Sequence, residues 1–167
     1  PAAPTGPTLT SADRALLLNW THNPQYNSRF GGSPIRDYLV TLYDDAGNVL
    51  AADTSVRPND LPYRWEGLEN GKRYMFSVKA RNINDDIAPS DASPMSPVEY
   101  PAGKPIGSIP VTATVIESEA GGGFSVSFDR SAINPNGDPV SMYTIMPVVQ
   151  GGGELPALSR QVAASTL

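Results

Sequence analysis

The sequence predicts an all-β protein, one complete β-sandwich followed by part of a second. Three observations carry that expectation. Apolar side chains alternate with a period of two in several runs, as on strands with one buried face. Turn residues bound those runs, and the 17 prolines and 15 glycines make up roughly a fifth of the 167 residues, above ordinary usage but below the ~25–30% of disordered chains. A strand-sized pattern also recurs 105 residues downstream, the spacing of a duplicated module.

The elements follow in order. The opening PAAPTGP reads as an inter-domain linker, so the chain is expected to be a piece of a longer or processed polypeptide. Leu16, Leu18 and Trp20 alternate in the first apolar run, Tyr38, Val40 and Leu42 in the next, and Tyr74, Phe76, Val78 and Ala80 in a third. Asp44 to Asn48 reads as a hairpin turn, with Gly47 available for positive φ. Glu69 to Gly71 reads as a second turn. Pro94, Pro97 and Pro101 suit an edge strand and its exit, since proline cannot donate to a central ladder.

The repeat is explicit. Gly32 to Val40 and Gly137 to Ile145 both read Gly-x-Pro-[Ile/Val]-x-x-Tyr-x-[Val/Ile], and Phe128 stands where the first copy has Trp20. Pro101 to Ser108, rich in Pro and Gly, separates the copies. The expected domains are residues 1–103 and 104–167.

Composition narrows the function classes. A net charge of −5 argues against nucleic acid, whose binding depends on Lys and Arg releasing counterions, and against an anionic membrane surface. The absence of cysteine removes disulfides, thiolate chemistry and cysteine–zinc sites. No apolar run approaches the ~18 residues of a membrane helix.

Trp20, the run Pro34-Ile35-Arg36-Asp37-Tyr38, and Leu68 six residues before Tyr74 together resemble the fibronectin type III family. The match covers about residues 4–101. The continuation Tyr74-x-Phe76-x-Val78-x-Ala80-x-Asn82 also fits. The resemblance implies an immunoglobulin-like sandwich with Trp20, Tyr38, Leu68 and Tyr74 in its core. Tyr74 would be the tyrosine of the corner, its hydroxyl turned back to upstream backbone. Phe128 and Tyr143 would be the core of the second copy. Richness in Thr, Ser, Ala and Gly resembles bacterial or phage members of the family more than animal ones.

The second copy departs from the pattern. It offers strand candidates at Val111 to Ile116, Phe124 to Phe128 and Met142 to Val149, then stops 28 residues after Pro139, where the first copy needs 40 from Pro34 to reach Tyr74. Its last two strands are expected to be missing and the one before them at best partial. Half a sandwich leaves apolar faces and strand edges open. A fragmentary chain, a completing tail, or strands donated by another chain would each account for it.

No catalytic set is legible. The single histidine, His22, has no acid and nucleophile marked around it and reads as a loop residue. The clusters Gly121 to Gly123 and Gly151 to Gly153 lack phosphate-loop spacing and read as turns. Asn82, Asn84, Asp85, Asp86 and Asp91 could supply oxygens to calcium, but their spacing matches no EF-hand and a solvated loop explains them. No metal, cofactor or catalytic residue is expected, nor an enzyme. The Arg-Gly-Asp tripeptide that binds integrins in some members of the family is absent.

Loops carrying large aromatics mark contact sites more often than strands do. In the family resembled, three loops gather at one end of the sandwich, here about residues 22–33, 57–61 and 82–93. Tyr26, Arg29, Phe30, Arg57 and Ile87 would share that tip and form the candidate binding surface; alternatively, Phe30 tucks under its loop as a lid on the core. Tyr26, Phe30, Tyr43 and Trp65 are the candidates for sugar stacking, though they lie in different elements, with core packing as the rival explanation for Trp65.

The expected role is a non-catalytic structural or adhesive module of a secreted or surface-exposed multidomain protein, at the cell surface or on a virion. It would act as spacer or protein-interaction domain, its partners being proteins or neighbouring domains. Two alternatives stand beside it. One is an accessory module touching polysaccharide for an extracellular enzyme. The other is a filament or virion subunit, a homo-oligomer completed by strand donation through the unfinished second module.

Overall fold

The computed structural model describes residues 1–22, 33–84, 88–116 and 123–166. They fall into two compact units, Pro1–Gly103 and Lys104–Leu167.

In the first unit β1 (Thr5–Ala12), β2 (Ala15–Thr21) and β5 (Tyr63–Glu66) form one antiparallel sheet in the order β1-β2-β5. The other sheet, β4-β3-β6, comprises β3 (Ile35–Asp44), β4 (Val49–Val56) and β6 (Tyr74–Asn82). Alternation decides which side chains meet between the sheets, because successive Cβ atoms point to opposite faces. Leu16, Leu18 and Trp20 from β2 face Tyr38, Val40 and Leu42 from β3 and Phe76, Val78 and Ala80 from β6, all buried. Trp20 meets Tyr38 edge-on at 5.1 Å and Phe76 at 5.8 Å. Removing one such ring from water contributes about 1.5–3 kcal/mol.

Turns close the sheets as the residue types dictate. The Asp44 carboxylate accepts from the amides of Ala46 (3.0 Å) and Asn48 (2.8 Å), and Gly47 takes φ +85. At the same end of the sandwich, where Asp44 pairs with Tyr74 at the start of β6, Asp13 and Arg14 link β1 to β2. Asn70 clasps that turn, accepting from Arg14 N–H at 2.8 Å and donating to Asp13 at 2.8 Å. The Tyr74 hydroxyl accepts from the Glu69 amide at 3.1 Å.

The proline-rich stretch after β6 differs from the edge strand expected. Residues 88–98 form no strand. Instead Ser90, Ser93 and Ser96 each place a backbone N–H on a β6 carbonyl, of Ala80, Val78 and Phe76 respectively, all at 2.9 Å. Each serine hydroxyl also accepts from the N–H of that same β6 residue, at 2.9, 3.1 and 3.0 Å. It then donates to the carbonyl of the following residue. The three-residue repeat is that of a polyproline helix. It lets Pro94 and Pro97 sit at positions that need no N–H. Glu99 then pairs with Tyr74, and Ala102 donates to Ala12 on β1 at 3.2 Å.

The second unit contains β7 (Val111–Ile116) paired with β8 (Gly123–Phe128), and β9 (Met142–Ile145) paired with β10 (Arg160–Ala163), both antiparallel. The strand expected over Met142 to Val149 ends at Ile145, ahead of Pro147. β10 lies beside β9 as β4 lies beside β3. Phe128 and Tyr143, expected as core, touch at 5.2 Å but are only half-buried. The faces that β5 and β6 cover in the first unit have no cover here among the described residues. Phe124 is 71% exposed and Val148 64%.

Candidate functional site

The end of the first sandwich opposite the Asp13 turn gathers the bases of three connections. There the chain leaves β2, enters β3, leaves β4 and leaves β6. Ile35 pairs with Asn82, the Ile83 amide donates to the Pro34 carbonyl at 3.0 Å, and Tyr38 pairs with Val56. Arg57 follows β4 directly and is exposed. Pro58–Asp60 then form a single 3-10 turn, with Pro58 at its start. Tyr26, Arg29, Phe30 and Ile87 lie outside the described residues.

A surface cleft of about 400 Å³ runs between the two chain segments, lined by Pro34, Ile35, Arg36, Arg57, Pro58 and Asn59. Ile35, buried, anchors its base. Among the described residues the Arg57 guanidinium has no ion pair or hydrogen-bond partner. Arg36 lies 3.7 Å from Asp37. Asp37 is mainly Arg81's partner: Arg81 grips both carboxylate oxygens, Nε at 2.8 Å, and the Ser55 hydroxyl donates at 2.7 Å. The Arg81 hydrogen bonds outweigh burial and hold the Asp37 carboxyl below the usual aspartate range.

His22 sits at the same end, half-buried. Its ring meets Tyr38 edge-on at 5.6 Å, with Nδ1 3.4 Å from the Tyr38 hydroxyl. Burial, followed by the positive amino terminus, pulls the imidazole below its ordinary value. Burial pushes the Tyr38 hydroxyl up. His22 thus lies against Tyr38, itself a member of the core cluster. Among the described residues no three His, Cys, Asp or Glu side chains converge as a metal site. Of the acidic run after β6, Asn82 is fully buried, Asn84 and Asp91 are exposed, and Asp85 and Asp86 lie outside the described residues.

Of the candidate sugar-stacking aromatics, Tyr26 and Phe30 lie outside the described residues, and Tyr43 and Trp65 lie on different sheets. Tyr63 and Trp65 share β5 and pack partly against the core, their rings 89° apart. Tyr43 lies on the other sheet and shares a hydrogen bond with Ser77 at 3.2 Å. Of the residues expected as core, Trp20, Tyr38, Leu68 and Tyr74 are buried.

Sequence reasoning missed three features. Arg36, Pro34 and Pro58 join Arg57 only because two strand ends converge. The Asp37–Arg81 pair follows from the register of β3 against β6. The serine ladder did leave a signal, a serine at every third position.

A two-sheet sandwich with a tyrosine corner and loop-bearing ends defines a class of β module. The sequence matches the Fibronectin type III domain family over residues 2–96, and the chain belongs to that family. It is 31% identical over 96 residues to human Brother of CDO, covering 56% of this chain and 8% of that protein. The chain thus spans less than a tenth of that relative's length. Among solved structures, a two-domain fibronectin type III segment of chicken tenascin aligns with 97% of this chain and 78% of its own, at 15% identity and TM-score 0.47. A titin segment aligns with 60% of this chain and 32% of its own, at 22% identity and TM-score 0.45. Family modules of this kind are typically interaction or spacer domains.

Proposed function

We propose that the chain is a structural and adhesive portion of a secreted or surface-exposed multidomain protein, serving as spacer and protein-interaction domain at a cell or virion surface. The observation that carries this reading is the family match over a sandwich whose one end gathers three loop bases around an unneutralised arginine. The interaction surface is Tyr26, Arg29, Phe30, Arg57 and Ile87. The compositional likeness to bacterial or phage members belongs to the same proposal. The test places a photo-crosslinking residue at position 26, 30 or 57 of the parent protein on its producing cell or particle. A discrete protein adduct from these positions, absent from position 13 in the opposite turn, is the expected result. No adduct from the tip, or equal adducts from both ends, would reject the assignment.

A second reading is favoured by one observation, the open apolar face of the second unit. Val111, Val126, Phe128, Tyr143, Ile145 and Met146 line a cleft of about 180 Å³ there. Strands supplied by the same protein or by another copy would cover it, making the chain an assembling subunit. Light scattering separates these: a monomer by mass speaks against completion in trans. The polysaccharide-accessory reading draws no comparable support from the perpendicular Tyr63 and Trp65 rings.

A further inference from the structure

We infer that the Asn136–Gly137 step is a site of spontaneous covalent modification, where the chain ages to aspartate and isoaspartate and the turn comes unfastened from the segment leading into the second unit. Water is the only co-reactant. The Gly137 nitrogen bonds to Asn136 Cγ, its proton passes through solvent to the departing Nδ2, the Cγ–Nδ2 bond breaks, and ammonia leaves. One water then opens the succinimide at either carbonyl. The new carboxylate ends on the side chain, or the backbone is rerouted through it.

Asn-Gly occurs twice in the chain, at 70–71 and 136–137. Glycine has no Cβ, so its nitrogen is the least hindered backbone nucleophile in both. At the first step that nucleophile is occupied: the Gly71 amide donates to the Pro101 carbonyl at 2.8 Å. The electrophile is held as well, Asn70 Oδ1 accepting from the Arg14 amide and Nδ2 donating to Asp13, each at 2.8 Å. Cyclisation there waits for the clasp over the Asp13 turn to open. At the second step the Gly137 amide makes no hydrogen bond among the described residues. Asn136 and Gly137 are both part-exposed, so water reaches the succinimide.

Asn136 also does something its products cannot. Its Nδ2 donates to the Lys104 carbonyl at 2.9 Å, and its own amide donates to Asn134 Oδ1 at 2.8 Å. Asn134 in turn exchanges both backbone hydrogen bonds with Ile106, each at 2.9 Å. The turn is thus fastened to residues 104–106 through both asparagines. A carboxylate at 136 has no hydrogen to offer Lys104 and sets oxygen against oxygen. Isoaspartate adds a methylene to the backbone of a turn that runs through φ +57 at Asn136 and +104 at Gly137. Either product places a negative charge beside the exposed Asp138.

The experiment incubates the whole chain in mildly alkaline buffer and follows both sites by peptide mass spectrometry, with aspartate and isoaspartate separated by chromatography. Position 136 should convert at least tenfold faster than position 70, because the three hydrogen bonds at 70–71 each slow opening by roughly two- to tenfold. In guanidinium chloride, with those bonds gone, the two positions should convert at similar rates. Asn136→Gln should remove the product at 136 and leave position 70 as it was. Asn136→Asp carries the product's charge on an unaltered backbone, and it should speed hydrogen exchange at the Ile106 and Asn134 amides several-fold. Equal rates at the two positions of the folded chain, or a slower 136, would overturn the inference. So would a position 136 that stays intact in the folded chain while the denatured chain converts. Unchanged exchange at Ile106 in Asn136→Asp would overturn the unfastening of the turn.

Discussion

The two units carry the same strand motif and end in opposite states. In the first, Tyr38 is buried in one core cluster with Trp20, Phe76 and Val78, Trp20 meeting it edge-on. In the second, its counterpart Tyr143 has Phe128 beside it and remains half-buried. Local sequence is enough to form β7 to β10. What it does not supply is the covering layer, the part played by β5, β6 and the serine ladder in the first unit. Strand formation and core formation are thus separable here, and stability should follow the second.

The sharpest test of that contrast is a pair of truncations. Trp20→Ala should destabilise the first unit by about 3–5 kcal/mol, the usual cost of deleting a core aromatic. Phe128→Ala, in the open unit, should cost clearly less. Urea melts of both variants measure the difference, and equal losses would erase the distinction between closed and open units.

A smaller effect is expected at Asp37. Asp37→Ala removes charge-assisted hydrogen bonds and leaves Arg81 without its carboxylate, at a cost of about 1.5–3 kcal/mol. The same carboxylate gives a pH signature. Its folded pKa lies below its unfolded value, so the unfolded chain takes up the proton first as pH falls. Its contribution is complete above the ordinary aspartate value of ~3.9 and is lost as pH drops through the lowered folded value. Acid titration of the melting temperature should be shallower in Asp37→Asn than in the parent. Parallel curves would mean the Arg81 pair contributes nothing.

Ser93→Ala strands the buried Val78 N–H and should cost about 1–3 kcal/mol, whereas Ser125→Ala on exposed β8 should stay within about 0.5. Similar values from chemical denaturation would deny the ladder its role. The least effect is expected from Tyr74→Phe, about 0.5–1.5 kcal/mol for one hydrogen bond. Unchanged stability would show that the bond to Glu69 is not what holds the corner.

Much of the fold was legible because alternation is a local signal. Leu16, Leu18 and Trp20 declare an inward face without reference to anything distant, and Asp44 with Gly47 declares a turn. The serine ladder was misread as a proline-bearing strand because its period of three is neither that of a strand nor that of a helix. β10 was not foreseen, since four residues after a glycine-rich turn carry too little pattern. At the candidate site, Arg57 could be placed by loop position alone. Its companions Pro34, Arg36 and Pro58 could not, because their meeting depends on where β3 and β4 end against each other. Asp37 enters the sequence reading only as part of the run Pro34 to Tyr38, and the register of β3 against β6 is what sets Arg81 beside it.

The ladder has a consequence for life in a string of similar domains. Neighbours joined by short linkers meet at an effective concentration in the millimolar range, where one sheet could extend into the next. Along β6 the outward N–H and C=O groups of Phe76, Val78 and Ala80 are each occupied, by a serine hydroxyl and a serine amide. Beyond them Pro94 and Pro97 have no N–H to offer. Along this edge the first sandwich is closed to a further strand, so its sheet resists fusing with another.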